Sequence, residues 1–235
     1  MSLLNVDTIN ENTAAAGVTV EGVLIKDSAL KIPGGSPGAD KVLTSDASGN
    51  AAWEAAATPA VDYVKISTHT ASDTASLEIT SGIDTTYASY YFLIDALVPV
   101  TDNTDLQVYI TTNGGTSWTA ESLTSGQWHM YTGSGGAGGG YDTAYDTIAG
   151  THVVQAWGVI NTAALGTYGW LTLIGAPNDT RTSWIGHTSW AQYAGYTNSS
   201  WVSGQNASTT AVNGIKFQYN TGNVSTGKII MYGLK

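Results

Sequence analysis

The chain has few of the residues on which most metal, redox and nucleic-acid sites depend. Its 235 residues include no cysteine and four histidines, and 11% are charged, against about 25% in ordinary soluble domains. Without cysteine there are no disulfides and no thiolate ligands for a soft metal. Arg181 is the single arginine, and the net charge is −10. The chain therefore lacks the clustered positive charge that nucleic acids and anionic membranes attract.

Long hydrophobic runs are also missing. No stretch approaches the roughly 20 apolar residues of a membrane span, and no charged region followed by an apolar run opens the chain as in a secretory signal. We expect no membrane insertion and no nucleic-acid partner. A protein that is assembled in the cytoplasm of a host cell and then released agrees with this pattern, and so does an ordinary cytosolic protein.

No catalytic or metal-binding motif stands out. The histidines have no ligand spacing, and no G-x-S-x-G sequence is present. Two pairs of aspartates are the remaining candidates: Asp102 with Asp105, and Asp142 with Asp146. Paired carboxylates could hydrolyse a glycoside or hold Ca²⁺, but aspartate is also a common turn residue, which we favour. We therefore predict a non-enzymatic protein with no catalytic residue, metal or cofactor.

The sequence is instead rich in β-strand patterns. Leu106, Val108 and Ile110 alternate with polar residues, and the run Tyr90–Val100 is typical of a core strand that is buried on both faces. No helix of ten or more residues is expected. Short strands separated by Gly, Asn and Ser turns predict an all-β fold, a β-sandwich with jelly-roll-like character, over residues 61–235.

The strands of this domain can be assigned in part. Strands are predicted at 128–131, 153–160, 168–174, 183–192, 215–219 and 228–232, besides those that start at Tyr63 and Leu77. Asn113-Gly114-Gly115 predicts a hairpin turn, with Trp118 on the returning strand. The run GSGGAGGG at 133–140 predicts a flexible loop.

The N-terminal part divides into a stem and a connector. Residues 1–32 are rich in β-branched residues but too short to bury them, because segments below about 40 residues rarely hold a fold alone. We expect this stem to intertwine with other copies of the chain. Residues 33–60 form a connector rich in Gly, Pro and Ala, with a small hairpin between Lys41–Thr44 and the segment around Trp53.

Two segments resemble known proteins. Residues 4–31, LNVDTINENTAAAGVTVEGVLIKDSALK, and residues 38–53, GADKVLTSDASGNAAW, are similar to stretches that recur in structural proteins of tailed bacteriophages, in tail fibres and related trimeric appendages. The resemblance implies a homotrimer located on the virion. It also implies that the stem docks to another virion protein of the tail or the capsid.

The resemblance leaves the position on the particle open. Our leading hypothesis is a fibre that displays its β-sandwich for attachment to the host surface, with glycan as the expected ligand. A head fibre or a capsid decoration protein is the alternative, because the stem motif comes so early that we expect no large tail-anchoring domain before it. A polysaccharide-degrading enzyme is a third hypothesis, and it would require two carboxylates in a groove.

A cluster of aromatic residues is the candidate binding site. Flat aromatic rings can stack on the C–H faces of sugars, while amides and hydroxyls bind sugar hydroxyls, and the same composition serves protein-binding loops. The alternative is that these rings fill the core and the seams between subunits, since Trp184 and Trp190 have the even spacing of one strand face. The predicted ligand-binding residues are Trp201, Tyr196, Trp190, Tyr193 and Arg181, with Trp201 and Tyr196 as the exposed pair.

Overall fold

The structure is a computed structural model that describes residues 38–48, 50–56, 63–133, 135–162, 165–176, 178, 180–192 and 195–235. Contacts between residues divide the chain into two units, Met1–Pro59 and Ala60–Lys235. The predicted stem lies outside the described residues. Its intertwining, and the three-part division of the chain that depends on it, stay predictions.

The described part of the first unit is a β-hairpin. Strand β1 (Lys41–Ser45) pairs with β2 (Ala51–Ala55), and Leu43 lies opposite Trp53. The Asp46 carboxylate shapes the turn by accepting hydrogen bonds from the backbone N–H groups of Ser48 and Asn50, at 2.8 and 2.9 Å. The hairpin predicted from the sequence is therefore confirmed.

The second unit contains two antiparallel sheets. The smaller has the order β10-β6-β14-β4, and the larger has the order β3-β15-β5-β11-β12-β13-β7-β8, with β9 also paired to β7. Their strands are β3 (Tyr63–Thr70), β4 (Leu77–Ile79), β5 (Ser89–Pro99), β6 (Thr104–Thr111), β7 (Leu123–Gly133), β8 (Gly136–Tyr141), β9 (Thr147–Gly150), β10 (Val153–Val159), β11 (Thr167–Ile174), β12 (Ser183–Ala191), β13 (Tyr196–Asn206), β14 (Gly214–Tyr219) and β15 (Val224–Leu234).

One hydrophobic core is built from the inner faces of both sheets. Phe92 of the larger sheet meets Phe217 of the smaller with ring centroids 6.0 Å apart, and both side chains are fully buried. Alternation along the strands produces this core, because successive side chains of a strand point to opposite faces. On β12 the even-numbered residues face inward and the odd-numbered residues face outward.

The structure confirms the all-β prediction, and two antiparallel sheets over a shared core are consistent with a β-sandwich. The strands predicted in this unit are present, except the one expected to contain Trp118. The jelly-roll-like topology and the trimer stay predictions. Among the described residues, no helix has the length and apolar character of a membrane span.

Four details of the predicted strands were wrong. Strand β5 is buried on only one face along its first half, since Tyr91 and Leu93 lie half-buried on the outer face. The turn at Asn113-Gly114-Gly115 does not close a hairpin, because β6 and β7 belong to different sheets, and Trp118 lies in the connection between them and not in a strand. Strand β13 was not predicted, because its residues are mostly small and polar.

The fourth correction concerns the glycine-rich run, where residues 136–140 belong to strand β8 rather than to a loop. Glycine is required there because β8 lies very close to β7. A Cβ atom at Gly139 would lie 2.6 Å from the carbonyl oxygen of His129, and one at Gly138 would lie 2.7 Å from the hydroxyl of Tyr131.

Candidate functional site

The outer face of the larger sheet carries a row of mostly aromatic and aliphatic residues that crosses its strands. Each member lies opposite the next in the strand register, one residue per strand. From β8 to β15 the row consists of Tyr141, Trp128, Trp201, His187, Trp170, Leu93 and Ile230. Cross-strand partners on one face have Cβ atoms about 5 Å apart, so these side chains form one continuous surface. We call this row, together with the rings of Tyr91, Tyr232 and Tyr63 that continue it, the aromatic band.

Ring contacts link the members of the band. His187 and Trp201 have centroids 4.6 Å apart, and Trp170 meets Trp201 edge-to-face at 5.9 Å. Tyr91 stacks on Trp170 at 6.0 Å and contacts Tyr232 at 6.1 Å. These separations lie within the range in which aromatic pairs stabilise one another, so the rings hold their positions mutually.

Part of the band lines an open depression of about 400 Å³ at the β7 and β13 strands. Trp128, Tyr141 and Trp201 line it, and their side chains are 53%, 62% and 45% exposed. Gly126 forms part of the floor, where a Cβ atom would lie 2.9 Å from the Tyr141 hydroxyl. Three large exposed aromatic side chains therefore surround a space that a small residue keeps open.

A second open depression of about 400 Å³ adjoins the first, since Gly126 and Ser203 line both. Arg181 lies here, exposed at the start of β12, and forms no ion pair with any described residue. Gln205 also lines it and donates a hydrogen bond from Nε2 to Ser183 Oγ at 3.1 Å. The second depression thus provides a cation, amides and hydroxyls next to the aromatic rings of the first.

The structure separates the predicted site residues. Trp201 lies in the first depression and Arg181 in the second, so the fold brings these two into adjoining sites. Tyr196 belongs to the same strand as Trp201 but is five residues away, and so points to the opposite face. Its half-buried ring meets Tyr131 edge-to-face at 5.6 Å. Tyr193 lies outside the described residues.

Trp190 is a core residue. Its side chain is 2% exposed, and its Nε1–H donates to the carbonyl oxygen of Trp157 at 2.7 Å. Trp184 on the same strand is also buried, at 4% exposure. The even spacing that predicted a shared core face for these two tryptophans is confirmed, whereas the prediction of a binding role for Trp190 disagrees with its burial.

A packed aromatic cluster lies on the inner side of β12 and β13. Trp157 stacks on Tyr145 with centroids 4.4 Å apart and meets Trp190 at 4.7 Å. His129 meets Trp157 at 4.2 Å and its Nε2 lies 2.8 Å from Asn198 Oδ1. Because the Asn198 amide nitrogen donates to Gln192, its oxygen is the acceptor and His129 Nε2 carries the hydrogen.

The outer face of the smaller sheet has a different chemistry. Lys216 lies between two rings, with Nζ 4.5 Å from the centroid of Tyr109 and 5.2 Å from that of Trp118. Beside Tyr109, the Nε2 atoms of Gln107 and His152 lie 3.0 Å apart. Charged and amide groups thus cover the Tyr109 ring. The contiguous exposed aromatic surface lies on the larger sheet, and such surfaces mark binding sites for ligands or partners.

The candidate aspartates have structural partners. Asp105 accepts from the backbone N–H of Gly158 at 2.9 Å, and Asp102 accepts from that of Asn161 at 3.1 Å. Asp146 and Asp142 accept likewise from backbone N–H groups of residues 127 and 144. No group of three potential metal-ligating side chains occurs among the described residues. These bonds agree with the favoured interpretation of the aspartates as turn and loop residues.

Two titratable groups of the band have shifted properties. Burial lowers the pKa of His187 from its ordinary value of 6.5, because desolvation disfavours the charged imidazolium. A hydrogen bond from Tyr141 to the Asp146 carboxylate raises the pKa of the Tyr141 phenol. Both residues are therefore neutral at pH 7, which leaves the band itself uncharged from β8 to β11.

Two residues of the first depression were missed by sequence reasoning. Trp128 and Tyr141 lie far from Trp201 in sequence and reach it only through the pairing of β7 with β13 and β8. The predicted strand at 128–131 did show that Trp128 and Met130 lie on one face of the sheet, and that His129 and Tyr131 lie on the other. Which alternate set faces solvent depends on the register, which the sequence does not specify locally.

Comparison with protein-family models, with curated proteins and with solved structures found no match for this chain. The function of the chain is therefore inferred from the geometry of the described residues and from the resemblance of its N-terminal segments to phage structural proteins.

Proposed function

We propose that this chain is a structural protein of a tailed-bacteriophage virion, a trimeric fibre of the tail or head, and that its C-terminal all-β unit attaches the particle to a glycan on the host surface. The observation that carries the attachment role is the depression formed by Trp128, Trp201 and Tyr141. The virion and trimer parts of the proposal are supported by the resemblance of residues 4–31 and 38–53 to phage structural proteins.

The chemistry of the two depressions suits a carbohydrate. Sugar rings have apolar C–H faces that stack on aromatic rings and hydroxyls that need hydrogen-bond partners. Ser203 and Gln205 supply such partners beside Trp201 on the same strand face. The outward positions around Trp201 include Ser199 and Ser203, which add further hydroxyls. The site thus combines exposed rings with hydrogen-bonding groups, the combination that a sugar requires.

A hydrolytic role is not supported by the site. Glycosidases need two carboxyl groups on either side of the scissile bond. The described side chains that line the two depressions include no aspartate and no glutamate. Binding without cleavage is the activity that these groups can perform, and three copies in a trimer would add avidity to weak individual contacts.

The test is a glycan array probed with the full chain and followed by calorimetric titration of the saccharides bound. Trp201→Ala should weaken binding roughly tenfold, the equivalent of about 1.4 kcal/mol. Tyr168→Ala is the matched control, because Tyr168 is an equally exposed aromatic residue on the same sheet face that lines neither depression. Absence of any bound saccharide, or equal binding by the Trp201 variant, would refute the attachment role.

A further inference from the structure

The aromatic band extends well beyond the depression that the attachment role requires. It continues from Trp201 through His187 and Trp170 to the rings of Tyr91 and Tyr232. At a strand spacing of about 4.8 Å, the seven strands from β8 to β15 span roughly 30 Å. A single sugar ring would occupy only the end of this surface.

The far end of the band forms a second cluster of three tyrosines. Tyr63 meets Tyr91 edge-to-face at 5.7 Å and Tyr232 at 6.5 Å. Tyr63 is 51% exposed, and Tyr91 and Tyr232 are half-buried. Burial raises the pKa of Tyr91, with further contributions from the nearby Tyr63 and Tyr232, so the Tyr91 phenol stays a neutral hydrogen-bonding group. The cluster offers ring faces and hydroxyls, the combination present at the other end.

We infer that the ligand is an extended, uncharged polysaccharide chain that lies across the strands and contacts both ends of the band, an inference that rests on the proposed glycan attachment. Trp128, Trp201 and Tyr141 bind one part of the polymer, and Tyr63, Tyr91 and Tyr232 bind a part several sugar units away. Trp170 and His187 bridge the two.

Charge and continuity argue for this occupant. The band carries no charged side chain between Tyr141 and Trp170, and near its far end Lys228 forms an ion pair of 3.1 Å with Asp95. Cations flank its two ends, with Arg181 in the second depression and Lys65 opposite Tyr232 in the register of β15 with β3. A neutral chain therefore meets no charge along the middle of the band. Ring centroids from Trp201 through Trp170 and Tyr91 to Tyr232 lie about 6 Å apart, with interplanar angles of 80°, 23° and 60°, so ring faces and ring edges follow one another along the band.

The experiment compares ligands of two lengths. Immobilised disaccharides and hexasaccharides of neutral glucans, mannans and galactans are titrated with the full-length chain. The hexasaccharide of any family that binds should bind at least tenfold more tightly than its disaccharide. Equal affinity for the two lengths would overturn the extended-ligand inference and leave glycan attachment standing. No binding to any family at either length would count against attachment itself.

Substitutions at the far end locate the second contact. Tyr63→Ala and Tyr232→Ala should weaken hexasaccharide binding about tenfold and leave disaccharide binding unchanged, whereas Trp201→Ala should weaken both. Tyr63→Phe and Tyr232→Phe, which keep the rings, should restore most of the affinity, and Tyr168→Ala is the control off the band. Circular dichroism spectra show whether each variant is folded. Substitution of Tyr63 should affect folding least, because this residue is exposed on the edge strand β3.

The same variants test the competing occupant, another copy of the chain. If the far-end tyrosines formed an interface between copies, Tyr63→Ala and Tyr232→Ala would lower the mass in solution. That result would overturn the inference. An unchanged mass together with the length-dependent loss of affinity would support it.

Discussion

Trp201 lies directly opposite Trp128 in the register of β13 with β7, and each indole leaves about half of its surface exposed to solvent. A pair of large apolar side chains near the β8 end of an open sheet face is costly to leave in water, since burying apolar surface is worth about 25 cal/mol per Å². Their position next to the hydroxyls and amides of the second depression is the basis of the proposed glycan site.

Removing Trp128 should separate binding from stability. Trp128→Ala deletes a cross-strand pair worth about 0.2–1 kcal/mol, so the free energy of unfolding in urea should fall by no more than about 1 kcal/mol. Glycan affinity should fall roughly tenfold, because one wall of the depression is lost. A fall in stability of several kcal/mol with unchanged affinity would assign Trp128 to folding rather than to binding.

Trp190 should behave in the opposite way. Trp190→Ala opens a cavity in the core and removes the hydrogen bond to Trp157, which should cost about 3–5 kcal/mol of unfolding free energy. Trp190→Phe keeps most of the volume and should cost less, while glycan affinity stays at the level of the unmodified chain. Urea titrations of both variants beside Trp201→Ala measure the contrast, and equal losses at positions 190 and 201 would contradict it.

Acidification should destabilise the all-β unit through its histidines. Burial lowers the pKa of His187, and of His69 likewise, below 6.5. Between pH 6.5 and these lowered pKa values, the unfolded chain therefore binds more protons than the folded chain. The contribution of these histidines to the free energy of unfolding is complete above pH 6.5 and is lost as the pH decreases through this range. The midpoint of thermal unfolding should drop between about pH 8 and about pH 5.

His187→Gln is the variant that checks this cause. It keeps a side chain of similar size between Trp201 and Trp170 but cannot be protonated, so the drop with acidification should become smaller. An identical pH dependence in the variant and the unmodified chain would show that His187 does not contribute.

The N-terminal stem should determine the mass in solution. Val18→Asp combined with Val20→Asp introduces carboxylates on the apolar side of the predicted strand, and burying an unpaired charge is very unfavourable. The mass should fall from that of three copies to that of one. Thr19→Asp, on the polar side of the same strand, is the matched control and should leave the mass unchanged. A single-copy mass for the unmodified chain would contradict the stem hypothesis.

The sequence predicted most of the local structure but not the site. Alternation along β6 and β12 was enough to find strands, and the even spacing of Trp184 and Trp190 was enough to place both in the core. The meeting of Trp201 with Trp128 and Tyr141 depends on pairings between strands that are distant in sequence. Register of this kind is set by the whole fold, so local composition could indicate Trp201 alone.

Two further errors share a physical cause. The glycines of β8 were interpreted as a loop, and β13 was not predicted, because both strands lack the β-branched and aromatic content that signals a strand. Because Gly139 has no side chain, β8 can lie close to β7. The small outward-facing serines of β13 leave space around Trp201. In both strands, small residues at close approaches replaced the usual strand-forming residues.

The most direct test of the central claim is a crystal structure of the full chain with the neutral hexasaccharide that binds most tightly. The account predicts sugar rings stacked on Trp128 and Trp201, with the remainder of the polymer running across β12 and β11 toward Tyr91. A saccharide bound on another surface, or a band covered by a second copy of the chain, would contradict it.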